Sequence, residues 1–128
     1  RRLMILYKGA AIGEMAYFNL GDDTAEIDIK ICERNFQEKG LGRLVLSLLL
    51  KELFSMGYKK IVLDTNLRNT RAQHVYELLG FRKVRIKKDF WKDQVGELQS
   101  VVDYELLLEE FVDWSVKFIE CKRHVYGM

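Results

Sequence analysis

The feature that most constrains this chain is a hydrophobic period that changes twice between residues 24 and 65. Ala25, Ile27, Ile29 and Ile31 alternate with Glu26, Asp28 and Lys30, which is the period-two pattern of a half-buried strand over 24–32. From 41 to 56 the spacing turns helical, with Leu41, Leu44, Val45, Leu48, Leu49, Leu53 and Met56 on one stripe. Leu46 and Leu50 widen that stripe, and Gly57 is a natural helix stop. Lys59 to Thr65 then holds a short apolar run, Ile61-Val62-Leu63, of the kind found in buried strands. Strand, helix and strand in this order require a crossover between parallel neighbours.

The rest of the chain is built around that unit. Residues 3–8 and 11–20 read as two strands, the second with Ile12, Ala16, Phe18 and Leu20 mostly on one face. Gly21-Asp22-Asp23 is a hairpin turn signal before the third strand. Asn69 is placed to cap a helix whose stripe is Ala72, Val75, Tyr76 and Leu79, closed by Gly80. Two further strands follow, 81–88 and 100–108, with a loop expected from Asp89 to Gln99. The order is β-β-β-α-β-α-β-β, then a helical tail. This predicts an α/β (α+β) fold with a mixed, mostly antiparallel sheet flanked by helices. We expect a core over 1–108 and, over 109–128, a tail of the same domain. The tail sets Phe111, Trp114 or Ser115, Phe118 and Ile119 on one side, to dock on its own sheet or on a second subunit of a homodimer.

Composition narrows the classes. A chain of 128 residues with 48% hydrophobic and 31% charged residues suits one folded domain rather than disorder or a membrane span. Its net charge of +2 is too small to mark a nucleic-acid binder. Cys32 and Cys121 have no metal-ligand spacing and read as reduced, small hydrophobes, so no metal and a cytoplasmic setting are expected. The chain opens at Arg1 directly on strand-like sequence, and we expect residues to precede it.

Chemistry concentrates in Gln37-Glu38-Lys39-Gly40-Leu41-Gly42-Arg43, between a strand and a long helix. Glycines in a tight loop expose backbone N–H groups, and the helix that follows adds unsatisfied donors and a positive dipole end. This is an anion site suited to phosphate. A P-loop would need Gly-Lys-Ser/Thr, which is missing. A dinucleotide fingerprint fits Gly40-x-Gly42 and the later Asp64. However, it has Val45 in the third glycine position, and the loop after the strand is too long for it. Taken alone, the motif leaves ligand site and plain helix start both open.

A second motif follows one helix and one strand later: Asn66-x-x-Asn69-x-x-Ala72-x-x-x-Tyr76-Glu77-x-x-Gly80-Phe81. With this pair of motifs, residues 3 to 108 resemble the GNAT acetyltransferase superfamily. In that family a Gln/Arg-x-x-Gly-x-Gly/Ala loop opens one helix and an Asn-x-x-Ala-x-x-x-Tyr segment forms the next. The resemblance implies acetyl-CoA as co-substrate, its pyrophosphate on the backbone of Gln37, Glu38, Lys39, Gly40, Leu41, Gly42 and Arg43. It also implies pantetheine contacts along Lys30, Ile31 and Cys32, and a cofactor contact from Asn69. Tyr76 matches the family tyrosine that serves as general acid for the departing thiolate. Glu26 matches the base glutamate of histone-type members, eleven residues before Gln37. Glu38 departs from the family's Gly or basic residue; its carboxylate opposes phosphate, and Lys39 and Arg43 partly offset it. The implied partner is a small-molecule or peptide amine, with neither nucleic acid nor membrane involved. The family's acceptor-recognising first helices are expected before Arg1.

Each of these readings has a plainer rival. Glu26, Asp28 and Lys30 also suit the polar face of a strand, and Tyr76 also suits a core stripe. His74 and His124 have no partner at ligand spacing and read as solvated. Arg82, Lys83, Arg85, Lys87 and Lys88 form a basic face that would serve a nucleic-acid module or the CoA phosphates. Phe90 and Trp91 would border an acceptor pocket or cover the core edge. A silent acetyl-CoA sensor would carry the same two motifs as an enzyme. The phosphate reading makes a direct prediction: acetyl-CoA raises the melting temperature by mass action, and Gly40→Val abolishes that rise in thermal shift.

Overall fold

In a computed structural model of the chain, residues 2–7, 10–31 and 41–115 are described. The elements are β1 (Arg2–Tyr7), β2 (Ala10–Gly21), β3 (Thr24–Ile31), α1 (Leu41–Ser55), β4 (Lys60–Asn66), α2 (Thr70–Leu78), β5 (Arg82–Lys92) and β6 (Leu98–Leu107). They form one six-stranded sheet in the order β1-β2-β3-β4-β6-β5. Among the described residues only β3 and β4 run parallel, as the crossover through α1 requires. The expected element order and fold class are both present.

One continuous core lies between the sheet and the two helices. Ile27, Ile61, Leu63, Val102, Tyr104 and Leu106 reach up from β3, β4 and β6. Leu46, Leu49, Leu50 and Leu53 come down from α1, and Tyr76 and Leu79 from the α2 side. Each large side chain removed from water in this way contributes about 1.5–3 kcal/mol before entropy is counted. The buried edge of α1 is therefore the 46/49/50/53 row, whereas Leu48 and Met56 of the predicted stripe are exposed. Ser47 is also buried because a later segment covers α1 from the side: Trp114 N donates to Ser47 Oγ at 3.0 Å.

Two expectations need correction. In β2, Met15 and Tyr17 pack against the core, and Phe18 and Leu20 are exposed. Register explains this: Met15 and Tyr17 lie opposite Ile29 and Ile27, whereas Phe18 lies opposite Glu26. The expected loop from Asp89 to Gln99 is instead mostly strand, with a turn over 93–97. A register shift between Lys87 and Trp91 absorbs Asp89, whose φ is 50°, so pairing resumes beyond it.

The C-terminal part of the described chain docks on the helices rather than on the sheet. Phe111 packs on Phe54 with ring centroids 5.6 Å apart. The Trp114 indole N–H donates to Leu78 O at 2.9 Å, and Val112 N to Leu79 O at 3.0 Å. Gly80 permits this contact, because a Cβ there would be driven into the Glu110 carbonyl oxygen. Phe118, Ile119, Cys121 and His124 lie outside the described residues. Gly80 and Gly96 both have positive φ, 102° and 87°, but nothing approaches Gly96. Gly80→Ala should cost about 2–5 kcal/mol in urea unfolding, conformation and overlap combined. Gly96→Ala should cost about 1–2 kcal/mol, from conformation alone.

Candidate active site

The sheet is split where the site lies. β3 and β4 are joined by the pairs Thr24–Lys60, Ala25–Ile61 and Glu26–Val62, and there their pairing ends. Each strand nevertheless continues, held from its outer side: β3 pairs with β2 as far as Ile31, and β4 with β6 as far as Asn66. The inner edges of 27–31 and 63–66 therefore diverge. Along such an edge, alternate N–H and C=O groups face the gap and need partners. The closed end is tied by the β2–β3 turn, where Asp23 O accepts from Lys59 N at 2.8 Å and Lys60 N at 3.2 Å.

A cavity of about 330 Å³ lies beside the free edge of β3, on the helix side of the sheet. Ile29 and Lys30 supply one wall, Gly42 and Leu46 the start of α1, and Asn69, Arg71, Ala72, Val75 and Tyr76 the α2 side. Both helices thus aim their N-terminal ends at it, which suits an anionic ligand. Asn69 caps α2, its Oδ1 accepting from Ala72 N at 3.1 Å, so its side chain fixes the helix start beside the cavity.

Tyr76 is buried, its ring edge-on to Phe81 and to Tyr104 with centroids 5.8 Å away in both cases. Burial pushes its phenol up to about 12, and the carboxylates of Asp28 and then Asp64 add to the rise. Those two residues hold equivalent places, each two beyond the last paired residues Glu26 and Val62. They flank the split, and their field reaches the phenol through it. Tyr104 is also buried, with no hydrogen-bond partner for its Oη among the described residues. Burial raises its phenol as well, and Glu77 adds to this.

On the opposite face of the sheet, Glu26, Val62, Asp64, Arg85 and Asp103 line a second depression of about 280 Å³. Glu26 and Tyr76 therefore do not share a cavity. Asp64 belongs to this depression and also acts on Tyr76.

Of the residues expected from sequence, the structure brings Lys30, Gly42, Asn69 and Tyr76 to one cavity. Arg43 turns away from it, its guanidinium 5.0 Å from the centre of the Trp114 ring. Ile31 ends β3 and Leu41 opens α1. Cys32, Gln37, Glu38, Lys39 and Gly40 lie outside the described residues. Sequence reasoning missed Arg71, a cation one residue into α2, and weighed Asp64 only as the acid of a dinucleotide fingerprint. The basic face of β5 is largely neutralised by β6. Arg82 meets Glu105 at 2.6 Å, Arg85 meets Asp103 at 2.9 Å and Lys87 meets Asp103 at 3.4 Å.

Comparison with known proteins agrees with this geometry. A family model described as the acetyltransferase (GNAT) family matches residues 1–81. The [ribosomal protein bS18]-alanine N-acetyltransferase of Haemophilus ducreyi is 28% identical over 97 residues, 76% of this chain and 60% of that protein. The protein of the same name from Salmonella typhimurium is 31% identical over 68 residues, 53% and 46% of the two chains. This chain thus spans about half to three-fifths of the length of these curated relatives. In fold it is similar to the crystal structure of the ribosomal-protein-S18-alanine N-acetyltransferase from Escherichia coli. The TM-score is 0.72 at 23% identity, covering 84% of this chain and 68% of that one. The structure of yncA from Salmonella typhimurium with its cofactor acetyl-CoA gives 0.75 at 22% identity, covering 87% and 66%. By the match of the family model to more than half of its length, this chain belongs to the GNAT acetyltransferase family.

Proposed function

We propose that this chain is the core of an N-acetyltransferase that moves an acetyl group from acetyl-CoA to a primary amine by direct attack. The observation that carries this reading is the split between β3 and β4, which opens onto two helix N-termini on one face and onto carboxylates on the other. The residues present fit acetyl-CoA: the free inner edge of β3 offers backbone groups to an amide-containing arm, and Lys30 and Arg71 offer positive charge near the helix starts. When bound, acetyl-CoA supplies the acetyl group on a thioester. The cytoplasm, where acetyl-CoA and reduced cysteines are both at home, suits this chemistry.

The chain's own residues would then divide the work. A backbone N–H of β3 beyond Glu26 is placed to donate to the thioester oxygen as charge grows on it. Tyr76 keeps its proton at neutral pH because its phenol lies near 12, so it is always available as a donor to the leaving sulfur. Full transfer to a thiolate, whose conjugate acid has a pKa of about 8.5, is uphill. Tyr76 therefore acts mainly as a hydrogen-bond donor. The amine approaches from the second face, past Glu26 and Asp64, and one of these carboxylates takes its proton. Both carboxylates line the depression from which the amine would come. The bS18-alanine relatives favour a peptide amine as acceptor. The nucleic-acid reading does not account for a buried tyrosine donor and carboxylates on the two faces of one split, whereas a silent sensor would share them and is separated by CoA release with an amine.

Two predictions follow from this division. Tyr76→Phe keeps the packing and should lower kcat for CoA release by a factor of about 10². Its phenol also carries a stability signature: folded pKa above unfolded means stability is intact below pH 10 and lost as pH rises from 10 to about 12. Tyr76→Phe should flatten part of that alkaline loss in melting curves.

Asp64→Asn and Glu26→Gln separate the two candidate bases. The variant that removes the true base should lose about 10²-fold in kcat/KM at neutral pH and recover part of it as pH rises. Acetyl-CoA affinity should barely change in either variant. Equal, flat pH profiles for both would show that solvent deprotonates the amine.

A further inference from the structure

A chain of side-chain hydrogen bonds runs behind the cavity without touching it. Asp93, at the start of the β5–β6 turn, accepts at Oδ1 from Val95 N at 3.1 Å and Glu97 N at 2.9 Å. Its other oxygen accepts from Gln99 Nε2 at 2.8 Å. Gln99 is buried, 7% exposed, and its Oε1 accepts from Asn66 Nδ2 at 2.8 Å. Asn66 Oδ1 in turn accepts from Arg68 N at 2.9 Å, in the turn that leads to Asn69 and α2. Gln73 closes the far side of that turn, donating to Leu67 O at 2.8 Å.

The polarity of this chain has a single origin. An ionised carboxylate only accepts, so Gln99 must present its NH₂ to Asp93 and its carbonyl to Asn66. Asn66 must then give its own NH₂ to Gln99, which leaves its carbonyl for the Arg68 amide. Asp93 is reliably ionised: hydrogen bonds, the Glu97 amide foremost and then Gln99, hold its carboxyl below the usual range. A half-buried anion on the hairpin turn therefore sets the orientation of two amides and, through them, of a backbone turn beside the cavity. Leu67 N to Ser100 O, 2.9 Å, ties the same turn to β6.

We infer that Gln99 is a positioning residue for the active site. It links the β5–β6 turn to the β4–α2 turn and so sets where Asn69 and Tyr76 stand relative to the split. This rests on the proposed function only for its effect on turnover. Buried networks of this kind are worth more intact than the sum of their parts, and a half-satisfied one loosens what it holds.

The test uses the whole chain and two variants. Gln99→Leu keeps the volume and removes both bonds; Asp93→Ala removes only the anion at the far end of the chain of bonds. Hydrogen exchange across 66–73 is followed together with acetyl-CoA affinity and with kcat and KM for CoA release. Gln99→Leu should speed exchange there about tenfold, weaken acetyl-CoA about threefold and lower kcat about tenfold. Asp93→Ala should move all three in the same direction by smaller factors. Glu97→Gln, which breaks only the exposed ion pair to Arg68, should leave them unchanged. A folded Gln99→Leu with wild-type exchange over 66–73 and wild-type kcat overturns the inference. If that variant does not fold, an Asp93→Ala protein indistinguishable from wild type overturns it. Should the wild type release no CoA with any amine, the functional reading fails, and the exchange result still decides the role of Gln99.

Discussion

Everything that makes this sheet a site depends on how briefly β3 and β4 are joined. The pairing covers Thr24–Lys60 to Glu26–Val62 and no further. Two forces hold the strands together there: the ladder itself and the Asp23 carbonyl, which accepts from Lys59 and Lys60. Beyond it, nothing would stop the strands from zipping shut except what their outer edges and side chains demand. β2 and β6 supply the outer hold, so each strand stays extended without its inner neighbour. Asp28 and Asp64 supply part of the inner resistance, since closing in register would bring two like charges directly opposite each other, an unfavourable cross-strand pair.

The same two carboxylates link architecture to chemistry. They stand at the mouth of the split and help hold the Tyr76 proton in place. A position that is costly for closing the sheet is thus also one that would serve the proposed reaction, which begins with a cationic amine and ends with a departing thiolate. Phe81 and Tyr104 hold the Tyr76 ring edge-on, in a core that leaves its phenol poorly solvated. Packing, in this site, is what sets protonation.

Much of this was legible in the sequence. The change of period fixes the β-α-β unit, and the pair of motifs placed Lys30, Gly42, Asn69 and Tyr76 where the cavity has them. The residue pattern itself does not mark the split, because 27–31 and 63–66 keep the alternation of ordinary strands. Local patterning also misjudged faces where two sides are covered or both are apolar. Leu48 lies on the predicted stripe but is exposed, and Ser47 is polar but buried. The Gln99–Asn66 bond joins residues 33 positions apart, and no periodicity points to it. The long β5 was missed because its bulge at Asp89 looks, in sequence, like the start of a loop.

Arg43 shows how tertiary packing can redirect a residue whose sequence context suggests one role. On the third residue of α1, beside a glycine motif, a cation reads as a phosphate ligand. In the fold it lies over the Trp114 ring instead, at a distance favourable to a cation–π contact. Trp114 is itself fixed, with its indole bonded to Leu78 O and its backbone to Ser47. The segment over 108–115 therefore touches both helices that face the cavity, α1 near its start and α2 at its end. A helix N-terminus can serve as an anion site only if its axis is held, because the dipole and the free N–H groups must keep one direction. The C-terminal segment holds α1 by Arg43 and Ser47 on the side the core does not reach. The cation that does not line the cavity thus bears on it indirectly, by holding the axis of the helix that opens there.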